Sequence, residues 1–188
     1  MIGYLVKFMV QDSQEIINNP ANKRQELLAE RIVRGDIVSS DGRVLATTET
    51  DQKGNETRVY PYKNVFCHVV GRVWNSKTGI ELEQSFPLLT SHVNPLKQLS
   101  NQLQGQKNQG DIVVTTLNAK LQQIAYDALG NQKGAVVAIE PSTGKILAMV
   151  SKPDYDPNTV RSEWDSLVAD EGGNSALLNR ATQGLYPP

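Results

Sequence analysis

The feature that most constrains this chain is a pair of nearly unbroken apolar runs. Ala135 to Ile139 reads AVVAI and Ile146 to Val150 reads ILAMV, and between them lies the polar stretch Glu140-Pro141-Ser142-Thr143-Gly144-Lys145. Proline, serine and glycine crowded together are turn chemistry, so the pattern predicts a β-hairpin. Neither run alternates apolar with polar residues, and the hairpin is therefore expected to be covered on both faces. A helix lies just before it. Asn118 is a capping residue, Leu121, Ile124, Ala125, Ala128 and Leu129 recur at helical spacing, and Gly130 ends the pattern. That helix is the obvious cover for one face. The other face needs further strands and a second layer. The residues after Val150 do not read as strands: Lys152 to Pro157 is an extended loop, and Trp164, Leu167, Val168, Leu177 and Leu178 suggest short helices. The chain starts a sheet that it does not finish, and the pattern predicts a piece of a longer protein.

The upstream residues are patterned more loosely. Residues 32–46 predict a hairpin: Ile37-Val38 goes out, Ser39-Ser40-Asp41-Gly42 turns, and Val44-Leu45-Ala46 returns. Asp-Gly favours such a turn because glycine accepts positive φ at no steric cost. Asp51 to Asn55 reads as an exposed turn, and Thr57 to Tyr60 and Val65 to Val70 as strands, the latter on its β-branched and aromatic content. Helical signals begin near Thr78. Asn94 and Pro95 can open a helix carrying Leu96, Leu99 and Leu103 on one face. Gln104 to Gly110 (QGQKNQG) holds no apolar residue and marks a linker, which divides the chain into residues 1–110 and 111–188. Ile112-Val113-Val114 is then a short strand. The fold class expected is α+β.

Composition removes several functions. The net charge is -1 and Lys and Arg are scattered, which argues against a nucleic-acid partner. The single cysteine, Cys67, excludes an intrachain disulfide and reads as a buried, inert thiol. His68 and His92 have no carboxylate or cysteine at ligand spacing, so no metal and no cofactor is expected. Met1 to Val10 is apolar apart from Lys7 but about half as long as the ~20 residues a membrane-spanning helix requires. It is either an ordinary strand or helix, or the outer end of a membrane anchor.

Several short motifs invite over-reading. Ser142-Thr143-Gly144-Lys145 fits S-x-x-K, the serine-lysine pair of penicillin-recognising enzymes. That chemistry needs both residues one helical turn apart with the lysine desolvated, whereas here they sit in a turn after a proline. Lys77-Thr78-Gly79 matches K-T-G of the same enzymes but precedes S-x-x-K instead of following it. Arg34-Gly35-Asp36 spells an adhesive tripeptide yet runs straight into an apolar strand, and a structural turn is expected. Asn55-Glu56-Thr57 is a formal glycosylation sequon that matters only in a eukaryotic secretory protein.

The ordered framework is more specific than any of these. Arg34-Gly35-Asp36-Ile37 with Asp41-Gly42-Arg43-Val44-Leu45-Ala46 resembles the signature that opens the N-terminal pedestal of class B penicillin-binding proteins. Gly79-Ile80-Glu81-Leu82-Glu83 resembles a later segment of that family, and Asp111 to Thr116 with Leu121-Gln122 resembles the entry to its transpeptidase domain. Leu117-Asn118 stands where many members carry isoleucine-aspartate, which marks a subfamily resembling the penicillin-binding protein A group of actinobacteria and related Gram-positives. The run from Gly134 to Ser151, followed by Pro153 to Asn158, resembles the first two transpeptidase strands and the loop leaving them. Asn179-Arg180-Ala181 and Tyr186-Pro187-Pro188 resemble the lead-in to the active-site helix, where the family continues with glycine, serine, two residues and lysine.

The resemblance implies a β-rich pedestal with helices, then the first helix and hairpin of an incomplete transpeptidase domain. It implies a parent enzyme that cross-links peptidoglycan stem peptides through an acyl-serine, is acylated by β-lactams, and is held by one N-terminal anchor on the outer face of the bacterial cytoplasmic membrane. It implies cell-wall synthesis proteins as partners of the pedestal. The nucleophile would lie past Pro188, so no residue in this chain is assigned a catalytic, cofactor-binding or metal-binding role. The alternative is a non-catalytic pedestal or interaction module, and a third possibility is a β-lactam sensor or β-lactamase, against which the pedestal motif argues.

Overall fold

The computed structural model describes residues 28–92, 94, 99–101, 103–169 and 175–184. Met1 to Val10, Pro95, Leu96 and Tyr186 to Pro188 lie outside these residues. The fold is α+β. In the N-terminal half, β2 (Ile37–Val38) and β3 (Val44–Thr50) form the expected antiparallel hairpin, closed by Ser39 N–H donating to the Arg43 carbonyl at 2.8 Å. Gly42 adopts φ 76°, which the Asp-Gly pair allows. β4 (Glu56–Val59) adds antiparallel to β3 across the exposed Asp51–Asn55 turn. β6 (Val113–Val114) adds parallel to β2, which gives the sheet order β4-β3-β2-β6.

Val65 to Val70 is not a strand. Lys63–Phe66 is a 3-10 turn and Cys67–Val70 is a short helix, α1. Phe66, Cys67, His68 and Val70 are all buried, and a tight helical turn can put adjacent residues against different neighbours. Packing here overrides a β-leaning composition, as it commonly does over four residues. The helical signal near Thr78 resolves into α2 (Gly79–Glu83) and α3 (Ser85–Leu88). Residues 99–101 and 103 are helical as expected, but Leu99 and Leu103 are exposed.

The polar stretch before residue 110 does not hang free at its end. β5 (Asn108–Gln109) pairs parallel with β1 (Ile32–Val33), and Gly110 N–H donates to the Val33 carbonyl at 2.8 Å. A Cβ on Gly110 would lie 2.0 Å from the Leu88 carbonyl oxygen, and one on Gly35 would lie 2.0 Å from that of Asp111. Three backbone segments cross at a distance only glycine permits, so both glycines are contact residues rather than hinges. Ile37, Leu45, Tyr60, Phe66, Val70 and Leu88 form the main core, which also takes in Leu117 and Ala119. Burying each large aliphatic residue there stabilises the fold by ~1.5–3 kcal/mol.

The second half contains α4 (Ala119–Leu129), the antiparallel hairpin β7 (Gly134–Ile139) and β8 (Ile146–Lys152), and α5 (Val160–Ala169). The expected double cover is only half present. α4 packs on one face through Leu121, Ala125 and Leu129 against Val136, Ala138, Ala148 and Val150. On the other face β8 is buried, but Val137 and Ile139 of β7 are 42% and 54% exposed. β7 therefore alternates half-buried and exposed along its length despite an apolar sequence.

Candidate functional site

The site of interest is the junction where β8, the loop after it and residues 175–183 meet the N-terminal half. α4 supplies its back wall. Asn118 Oδ1 accepts from Leu121 N–H at 2.9 Å, which satisfies one of the orphan donors of the first turn. Asp41 Oδ1 accepts from Ala119 N–H at 3.0 Å, and that bond does most to lower the Asp41 pKa. One turn on, Gln122 is fully buried and makes three bonds. Its Nε2 donates to the Val65 and Met149 carbonyls at 2.7 and 2.8 Å, and its Oε1 accepts from Met149 N–H at 2.8 Å. A single carboxamide thus ties α4 to the 3-10 turn and to the middle of β8.

The loop Pro153–Asn158 is stapled to the N-terminal half by side chains. Asp154 accepts from Asn64 Nδ2 at 2.9 Å and from the Tyr126 hydroxyl at 2.7 Å. The Asn158 carboxamide pairs with both backbone groups of Tyr60, at 2.9 and 3.0 Å. His68 Nε2 lies 3.2 Å from the Pro153 carbonyl, and the Tyr155 hydroxyl donates to the Cys67 carbonyl at 3.3 Å. Burial lowers the pKa of His68, against the opposing pull of the Pro153 carbonyl and Asp154. A neutral ring that donates Nε2–H to Pro153 satisfies that environment. Burial pushes Tyr155 up to about 12 and raises the Cys67 thiol, which keeps it protonated and unreactive.

Residues 175–183 lie against β8. Ser151 is buried; its Oγ accepts from Arg180 N–H at 2.9 Å and donates to the Leu178 carbonyl at 3.2 Å. Leu177 packs on a cluster of Cys67, Tyr155, Val160, Trp74 and Trp164. Arg72 stacks over the Trp164 ring at 5.1 Å and the Tyr155 ring at 5.9 Å. A cleft of about 330 Å³ remains between the halves, lined by His68, Arg72, Thr78, Met149, Tyr155 and Asn179 among others.

The motifs singled out in the sequence fall elsewhere. Ser142 and Lys145 sit in the exposed β7–β8 turn, where the Thr143 hydroxyl donates to Glu140 Oε2. Thr78 precedes α2, and its Oγ1 accepts from Arg72 N–H at 3.2 Å. Asn55 belongs to the Asp51 turn, donating through its backbone N–H and its Nδ2 to the Asp51 carboxylate at 2.9 and 2.8 Å. His92 pairs with Asp111 at the surface. Among the described residues no three His, Cys, Asp or Glu side chains are grouped as metal ligands, and no helix is long and apolar enough to cross a membrane.

Arg34-Gly35-Asp36 leads to a feature that sequence reasoning missed. Arg34 Nε and Arg58 Nε each donate to the Glu81 carboxylate at 2.7 Å, and the Tyr60 hydroxyl donates to it at 3.3 Å. Glu81 is fully buried. Asp36 accepts from the Thr47 hydroxyl at 2.7 Å. The only trace in the sequence is an acidic residue between Ile80 and Leu82.

Comparison with known proteins agrees with this architecture. Residues 134–188 match the family "Penicillin binding protein transpeptidase domain". The chain is 36% identical over 186 residues to the peptidoglycan D,D-transpeptidase PbpA of Mycolicibacterium smegmatis, covering 90% of this chain and 38% of that protein. It is 33% identical over 172 residues to the peptidoglycan D,D-transpeptidase MrdA of Escherichia coli K12, covering 72% of this chain and 27% of that protein. The fold resembles penicillin-binding protein A from M. tuberculosis in its imipenem acyl-enzyme complex, with a TM-score of 0.66 and 36% identity over 79% of this chain and 37% of that one. It also resembles Pseudomonas aeruginosa PBP2, with a TM-score of 0.67 and 30% identity over 84% and 38%. The chain thus spans well under half the length of these relatives. Over that span, in sequence and in fold, it is similar to peptidoglycan D,D-transpeptidases of the penicillin-binding protein group.

Proposed function

We propose that this chain is the pedestal (residues 1–110) and the start of the transpeptidase domain (residues 111–188) of a peptidoglycan D,D-transpeptidase. The observation that carries this is the 36% identity with such an enzyme over 90% of the chain. In the complete enzyme a serine attacks the D-Ala–D-Ala peptide bond of a stem peptide. D-alanine leaves, and the acyl group passes from the serine to an amine on a neighbouring stem. A lysine one helical turn after the serine takes its proton, and backbone N–H groups stabilise the oxyanion. β-Lactams acylate the same serine. In this reading Ser142 is not that serine: Ser142 and Lys145 occupy an exposed turn, not successive turns of a helix in a desolvated site.

In this reading the described residues position the active site. The pedestal core carries α1, and the Pro153–Asn158 loop and Ser151 fix the first strands and the approach to the serine upon it. One N-terminal anchor holds the assembly on the outer face of the cytoplasmic membrane, and the pedestal surface meets other cell-wall synthesis proteins. Labelling with a fluorescent penicillin tests the reading. A polypeptide extended through the residues encoded after Pro188 is expected to be acylated, with the adduct mapping beyond Pro188. An extended polypeptide that takes up no label overturns the function. Recovery of it in the soluble fraction, when expressed with its upstream residues, overturns the anchor.

A further inference from the structure

We infer that Ser151 and Asn179 form a clip that sets the position of residues 178–183, and with it the acylation rate of the complete enzyme. The inference rests on the proposed transpeptidase function. Residues 175–183 are locked internally. Arg180 is buried, and its guanidinium donates to the Ser175 and Leu178 carbonyls at 3.1 and 3.3 Å. Gln183 N–H donates to the Asn179 carbonyl at 2.8 Å, and Asn179 N–H donates to Gln183 Oε1 at 3.2 Å. Such a unit moves as a body, and where it sits depends on what holds it from outside.

The Ser151 and Asn179 side chains make polar attachments between it and the rest of the molecule. The Ser151 hydroxyl takes the place of a neighbouring strand, accepting Arg180 N–H at 2.9 Å and donating to the Leu178 carbonyl at 3.2 Å. Ser151 is 2% exposed, so no water replaces those bonds if the hydroxyl is removed. The Asn179 carboxamide faces both ways. Its Oδ1 accepts from Ala181 N–H at 3.0 Å, and its Nδ2 donates to the carbonyl of His68 on the pedestal helix α1 at 3.4 Å. Apolar packing of Leu177 adds area but little direction. The cleft of about 330 Å³ beside Asn179 leaves space into which the unit can shift. Residues 178–183 run toward the proposed active-site helix, so a shift there misplaces the nucleophile. Misplacement by about 1 Å is enough to cost ~100-fold in rate.

The test uses the extended polypeptide and tracks penicillin acylation as a function of drug concentration, which separates the saturating rate from the apparent dissociation constant. Ser151→Ala is expected to lower the saturating rate ~10-fold or more with little change in the dissociation constant. Asn179→Asp keeps Oδ1 but loses the donor, and is expected to lower it less, ~3-fold. A purely structural role would lower the melting temperature and leave the saturating rate of the folded fraction unchanged. Amide exchange is read on the same variants, with faster exchange expected at Arg180 in Ser151→Ala and unchanged exchange within α4. Wild-type saturating rates in both variants overturn the clip, and so does unchanged Arg180 protection in Ser151→Ala. If the wild-type polypeptide takes up no penicillin, the proposed function fails instead, and Arg180 protection alone decides whether the clip exists.

Discussion

The two halves of the molecule solve the same problem with different chemistry. Each is organised around a fully buried polar side chain: Glu81 in the pedestal and Gln122 in the helix behind the hairpin. Glu81 is charged and is met by two guanidinium groups and a phenol. Gln122 is neutral and is met by three backbone groups. A buried charge depends on its partners far more than a buried amide does, because an unpaired ion in a poorly polarisable interior is costly. The pedestal centre is therefore specific and brittle. The hairpin centre tolerates more, since an orphaned backbone group costs less than an orphaned charge.

Substitutions can break this contrast or sharpen it. Glu81→Gln removes the charge that pairs Arg34 and Arg58 and is expected to destabilise the fold by about 3–5 kcal/mol, read in urea melts. Gln122→Leu keeps the volume but orphans buried groups of Val65 and Met149, and about 2 kcal/mol is expected. If the two losses are equal, the contrast between the halves is wrong. Asn118→Ala, which removes the α4 cap, is expected to cost about 1 kcal/mol.

His68 joins the halves and adds a pH dependence. Its folded-state pKa is lowered by burial, below the 6.5 of an unburied histidine. The unfolded chain therefore binds the extra proton first as the pH falls. The stability that neutral His68 allows is complete above 6.5 and is lost as the pH drops below it. Thermal melts at pH 7.5 and 5.5 should show a lower melting temperature at the acid pH, and His68→Gln should reduce the difference. The smallest effect belongs to Ser142→Ala in the exposed turn, within about 0.5 kcal/mol.

How much of this was legible in the sequence depends on the range of the interactions. The β7–β8 hairpin, the Asn118 cap and the Asp-Gly turn at residue 42 rest on neighbours a few positions apart, and all are where the pattern predicts them. Val65 to Val70 looked like a strand because its residue types suit one, but the burial of Phe66, Cys67 and His68 in succession is set by partners distant in the chain. The exposed face of β7 was invisible to a rule that equates an apolar run with double burial. The junction was the least legible part. Asn64 meets Asp154 across 90 positions, and Asn158 meets Tyr60 across 98; inside the N-terminal half Glu81 meets Arg34 across 47. Spacing rules do not reach that far. The resemblance of Asn179-Arg180-Ala181 to a family lead-in marked where the junction lies, though not that Ser151 holds it.

The central claim is that these 188 residues position an active site without containing its nucleophile. Intact-mass measurement of this chain after incubation with a penicillin, beside the polypeptide extended past Pro188, tests it most directly. The shorter chain is expected to keep its unmodified mass, and the longer one to gain one penicilloyl adduct. An adduct on the shorter chain that disappears in Ser142→Ala would contradict the claim.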